Sequence, residues 1–187
     1  MTSEHHDNKL HEFLVLSWIE MDFIINRNQF SASVFLQEEM KYQEDARYFS
    51  SLMTYNGQTL PVFNFNAFLT DTFRSGIHSN FNIALICDIS LFSRANQSSY
   101  RKHFLKNNTD ISSQFLAVKV SVHAGMNHVP LSEINLIPPG LRGKLNNEGI
   151  LGCRFTNKNN IQYFVDIETI IFKCIREKGD FDDYQQG

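Results

Sequence analysis

The chain has 187 residues, a formal net charge of −3 and a pI of about 6.1, with 42% hydrophobic and 20% charged residues. This composition suits one globular domain or two small ones; it is too apolar for a disordered chain, and it lacks the basic excess of a dedicated nucleic-acid binder. Phenylalanine is abundant, with 17 residues against one tryptophan, and its preference for strands points to a β-rich core.

In chain order, residues 1–11 are polar and predict a flexible arm without the apolar stretch of a secretion signal. No later run approaches the roughly 18 apolar residues of a membrane span. A cytoplasmic protein is therefore expected, with no direct membrane insertion. Short β-favouring runs at residues 13–19, 23–25 and 30–36 predict strands. The charged segment 37–49 reads as a loop or a short helix, with residues 46–53 the more helix-like part.

The strongest local signal is Tyr55-Asn56-Gly57-Gln58. Asn-Gly suits a type I′ hairpin turn, which needs positive φ at both central positions. The strand after it contains Pro61, which has no amide donor and is expected at a strand edge or start. Asn64 then precedes an apolar helical turn and is suited to cap it.

Residues 82–88 form a nearly continuous apolar run, expected as a buried strand. Residues 93–113 are polar, carry Arg94, Arg101, Lys102, His103 and Lys106, and read as an exposed loop. Further strands are expected at 114–122, after a turn at Gly125, at 149–155 and at 161–165. Asp166 is placed to cap a helix from Ile167 to about Glu177, whose apolar residues share one face. An acidic, mobile tail is expected after it.

One small unit occurs twice. Asn56 to Leu69 and Asn159 to Ile171 each read as turn, strand, capping residue and apolar helical turn. The capping residues Asn64 and Asp166 are 102 positions apart. In both, apolar residues fall at the first, fourth and fifth positions after the cap. Two copies point to two related β-subdomains; a solenoid needs more repeats.

Three features together resemble the chemotaxis coupling proteins, the CheW-like family. Residues 13–25 look like that family's opening hairpin. Met53-Thr-Tyr-Asn-Gly-Gln-Thr-Leu-Pro-Val-Phe-Asn-Phe65 looks like its Asn-Leu-Arg-Gly-x-x-Ile/Val-Pro-Ile/Val-x-Asp-Leu segment. Leu131-Ser-Glu-Ile-Asn-Leu-Ile-Pro-Pro139, Gly149-Ile-Leu-Gly152 and Tyr163-Phe-Val-Asp-Ile-Glu-Thr-Ile-Ile171 follow its closing order.

The resemblance covers residues 12–172 and leaves 173–187 as the end of the helix and the tail. It implies a mainly β fold: two SH3-like five-stranded β-barrel subdomains packed together, with a short C-terminal helix. It also implies a non-enzymatic adaptor that couples a chemoreceptor cytoplasmic domain to a histidine kinase regulatory domain, with recruitment to membrane receptor arrays. Tyr55, Asn56, Gly57, Gln58 and Asn64 fall on its recognition segment and are the expected partner-binding residues.

The chain departs from the pattern. Asn56 replaces the family's Arg and removes a charged anchor. Asn64-Phe65 replaces Asp-Leu, and the insertion at 93–113 is long. The alternative is a regulatory or ligand-binding domain of the same fold that has lost those partners.

No catalytic residue is expected. The nucleophile-elbow, P-loop and dinucleotide motifs do not occur. Asp88, Glu133, Asp166 and Glu168 read as single capping or solubilising acids. Cys87, Cys153 and Cys174 and the seven histidines lack ligand-like spacing, so neither a metal nor another cofactor is expected.

Overall fold

In the computed structural model, residues 10–18, 21–36, 38–42, 47–73, 83–106, 110–120, 123–140, 143, 148–156 and 160–184 are described. The apolar runs form strands. β1 (Leu10–Trp18) and β2 (Met21–Asn26) make the opening antiparallel hairpin. β3 (Ala32–Phe35), β4 (Met40–Lys41), β5 (Ser51–Tyr55) and β6 (Gln58–Asn64) follow, then helix α1 (Phe65–Phe73). β7 (Ile83–Asp88), helix α2 (Arg94–Tyr100) and β8 (Phe115–Val120) come next. β9 (His123–Pro130), β10 (Asn135–Leu136), β11 (Ile150–Phe155), β12 (Ile161–Val165) and a C-terminal helix (Ile167–Tyr184) complete the order.

The fold is mainly β, with two SH3-like subdomains and a C-terminal helix. Contacts divide the chain into two units. The first, Met1–Asn28 with His123–Asp166, carries the sheet β10-β11-β12-β2-β1-β9. The second, Gln29–Val122 with Ile167–Gly187, carries the sheet β3-β7-β8-β6-β5-β4, α1, α2 and the C-terminal helix. Among the described residues each sheet has six strands where five were expected. The extra edges include β4 and β10, two residues each and too short to show a period of two.

The repeat seen in the sequence extends through both sheets. β4-β5-β6-β8-β7-β3 and β10-β11-β12-β2-β1-β9 share the same run of pairings: two antiparallel, one parallel, two antiparallel. The first unit therefore has the second unit's strand order, with the last hairpin moved to the front of the chain. The ladders also match core positions. Phe13, Val15, Ile24 and Phe164 of the first unit stand where the second has Ala84, Ile86, Ala117 and Val62.

Several expectations are corrected. Residues 51–55 are a strand, not part of a helix, because β6 lies directly across the Asn-Gly turn and pairs with them. β6 lies inside its sheet, so Pro61 is not at an edge. Counting from the turn, Pro61 faces Leu52 at a non-hydrogen-bonded position, and the ladder to β8 begins only at Val62. Its missing N–H therefore breaks no rung.

The polar stretch from residue 93 is helical, not a loop. Ser93 Oγ accepts from Asn96 N, and α2 continues into a π turn, Arg101–Leu105. Tyr100 and Phe104 are buried on its inner side. Gly125 does not mark a turn; it lies within β9 opposite Val15. The C-terminal helix runs through most of the expected tail, to Tyr184, because a helix seeded by a buried face extends cheaply. Leu10 and His11 already pair with β9, so β1 begins within the expected arm; residues 1–9 lie outside the described residues.

Candidate functional site

The turn at Tyr55-Asn56-Gly57-Gln58 has the expected geometry, with φ of 48° at Asn56 and 73° at Gly57. Asn and Gly are the residues that tolerate this region most easily. Asn56, Gly57 and Gln58 are exposed and Tyr55 is half-buried. The Tyr55 ring meets Phe115 edge-on at 6.2 Å and packs against the barrel core.

A second segment braces the turn from behind. Ser112 Oγ donates to Gln58 Oε1 at 2.6 Å and accepts from the backbone N–H groups of Gln114 and Phe115. Ser112 N donates to Thr59 O at 2.7 Å. The Tyr100 hydroxyl shares its one proton between Ser112 O (2.7 Å) and Phe115 O (3.0 Å). Burial raises the pKa of that hydroxyl, keeping it the neutral donor this network requires.

Asn64 lies at the other end of β6. Its Oδ1 accepts from Ala67 N at 3.1 Å and caps α1 as expected. Six residues of strand, about 20 Å at the usual rise, separate it from Gln58. Four of the five expected contact residues therefore meet at the turn, and Asn64 does not join them.

Beside the turn lies a groove of about 340 Å³, lined by Val34, Phe35, Glu38, Met40, Met53, Thr54, Tyr55 and Asn56. β3 and β4 are opposite edges of the open sheet order, yet both line it, so the sheet curls into a barrel whose seam is this groove. Glu39 holds the seam's connecting segment: its carboxylate accepts from Ser51 Oγ at 2.5 Å and from Lys119 Nζ. Phe35 and Met40 stand out at the rim, 74% and 47% exposed. Surface of this kind is costly to leave bare, and it marks contact sites.

The corresponding positions of the first unit are polar. Arg154, Gln162 and Asp22 stand where the second has Met53, Leu60 and Phe115. Gln162 accepts from Arg154 Nε (2.8 Å) and donates to Asp22 (3.1 Å), and Arg154 also pairs with Glu133. Leu131 and Leu136 are exposed along this unit's edge.

The sequence pointed to the turn but missed Ser112, Tyr100 and the rim residues. Tyr100 and Phe104, four apart in a polar stretch, were the available sign of a helix with a buried side.

No protein-family model matches the chain, and no curated protein matches it in sequence. Among solved structures, the crystal structure of the scaffolding protein TtCheW from Thermoanaerobacter tengcongensis is similar, with a TM-score of 0.57 over 89% of this chain and 91% of that one. The chain has a CheW-like fold. At 12% identity it is a divergent one. Among the described residues, no helix is long and apolar enough to cross a membrane.

Proposed function

We propose that this chain is a non-enzymatic adaptor that couples a chemoreceptor cytoplasmic domain to a histidine kinase regulatory domain, working in the cytoplasm at membrane receptor arrays. The observation that carries this reading is the CheW-like fold, matched over nearly the whole of both chains. The adaptor body is residues 12–172. The contact surface is the turn Tyr55–Gln58 with the adjoining groove, and Asn64 caps α1 at the far end of β6. The exposed Phe35 and Met40 support this, since apolar rim residues beside an open strand edge suit a protein partner.

The test is titration of the full chain with a receptor cytoplasmic fragment and with a kinase regulatory domain. Binding to both with Kd in the micromolar range, about −8 kcal/mol, is expected. No binding to either would overturn the reading. Asn56→Arg adds a long cation at the exposed turn and should tighten binding to an acidic partner by about two- to fivefold. Unchanged affinity would take the turn out of the interface.

A second reading is a regulatory or ligand-binding domain of the same fold. The exposed Asn56, which offers no charged anchor, and the groove beside it favour this one. A thermal shift with a small molecule, abolished by filling the groove with Thr54→Trp, would support it.

A further inference from the structure

Between Asp88 and Asp110 the chain carries no acidic residue, but it holds Arg94, Arg101, Lys102 and Lys106 in a protein of net charge −3. All four are exposed. Among the described residues, none of them forms an ion pair.

Backbone geometry sets them in a row. The turn from Arg101 to Leu105 is π-helical, with about 4.4 residues per turn instead of 3.6. That winding keeps residues four apart in line, so Lys102 and Lys106 continue the face begun by Arg94 and Ser98, with Arg101 beside them. The same winding stacks buried Phe104 beneath buried Tyr100, with ring centroids 5.0 Å apart on the opposite side. An uninterrupted α-helix would swing Lys106 away from the row. π turns are uncommon and often mark functional positions.

The scaffold behind the row is firm. Glu168 of the C-terminal helix accepts from Ser93 N and Asn96 Nδ2 at the start of α2, and Gln97 Nε2 donates to Phe92 O. Tyr100 anchors the middle through its two hydrogen bonds.

The geometry points to a second docking surface on this helix, for an acidic helical protein segment that presents a row of carboxylates along one face. The cations form a narrow stripe, about a quarter-turn wide and roughly 18 Å long at 1.5 Å per residue. A line of charge complements another helix better than it does a plane of lipid headgroups. The helix also has no apolar face left to enter a bilayer, because that face is spent on Tyr100 and Phe104. This surface does not depend on the adaptor reading, and it lies on a different element from the groove.

The experiment titrates the full chain with a synthetic 18-residue helical peptide carrying glutamates at alternating three- and four-residue spacings, which hold them on one face. A second peptide has the same composition with its glutamates spread around the helix. Anionic phosphatidylserine vesicles and duplex DNA serve as further probes. The row peptide should bind about tenfold or more tightly than its isomer, as several exposed ion pairs acting together allow. Added salt should weaken it. Arg101→Glu/Lys102→Glu should lose about tenfold, with the circular dichroism spectrum unchanged, while Arg101→Lys/Lys102→Arg should retain binding. Equal binding of the two peptides, stronger binding to vesicles or DNA, or no effect of the charge reversal would each overturn the proposal.

Discussion

Asn64 joins β6 to α1 through one hydrogen bond from Ala67 N, and this bond satisfies a backbone donor at the start of the helix that would otherwise lack a partner. Asn64→Ala should cost about 1 kcal/mol of stability, read from the urea midpoint, while Asn64→Asp should keep the cap. Tyr100 carries more. Its hydroxyl serves two carbonyls in a buried setting, so Tyr100→Phe leaves both short of a donor and should cost about 1–3 kcal/mol. The pH dependence has a definite sign. A tyrosine ordinarily ionises near pH 10, and burial raises Tyr100 above that. The folded chain therefore holds the proton more tightly than the unfolded chain does. Its contribution is complete below about pH 10 and is lost as pH rises through the folded value. Burial also raises Tyr48 and Cys87, so wild-type stability should fall steeply in alkali, and Tyr100→Phe should make that fall shallower. Denaturation midpoints across the alkaline range check this.

At the scale of elements, the sequence is legible where a signal is local. The hairpin turn announces itself through Asn56-Gly57, and β7 and β8 through nearly continuous apolar runs. It is opaque where partners decide. β4 and β10 exist because β5 and β11 offer them edges, and α2 is helical because Tyr100 and Phe104 find a core to enter. The residues of β4 and β10 carry no sign of this, and those of α2 carry only a faint one, the spacing of Tyr100 and Phe104. The contact groove was legible only in part for the same reason: its turn is local, but its walls come from β3, β4 and β5, brought together by barrel closure. β10 shows how tightly such an edge is fitted. A Cβ at Gly152 would fall 2.7 Å from the Asn135 backbone oxygen and 3.1 Å from Ile134 Cγ2. Gly152→Ala should therefore push β10 off β11 and cost about 1–3 kcal/mol, as overpacking does. Amide exchange should locate the loss at Asn135 and Leu136; an unchanged exchange pattern would refute it.

For the whole molecule, chain order and contact order disagree at the C-terminus. The helix from Ile167 follows β12 of the first unit directly, just as α1 follows β6 in the second. Repeat logic would attach it to the first unit. Its contacts attach it to the second: Phe172 meets Phe92 edge-on at 5.6 Å, and Glu168 holds Ser93 and Asn96. Phe172 is fully buried, so Phe172→Ala removes a large apolar side chain and leaves a cavity, at a cost of about 3–5 kcal/mol. Hydrogen exchange on the full chain distinguishes the two attachments. If contacts govern, α2 and the β7–β8 ladder lose protection first, while the β12–β2 ladder keeps its own longer. Loss beginning in β12–β2 would show that the helix stabilises the barrel it follows in sequence. The division of the chain at Asp166 would then be wrong.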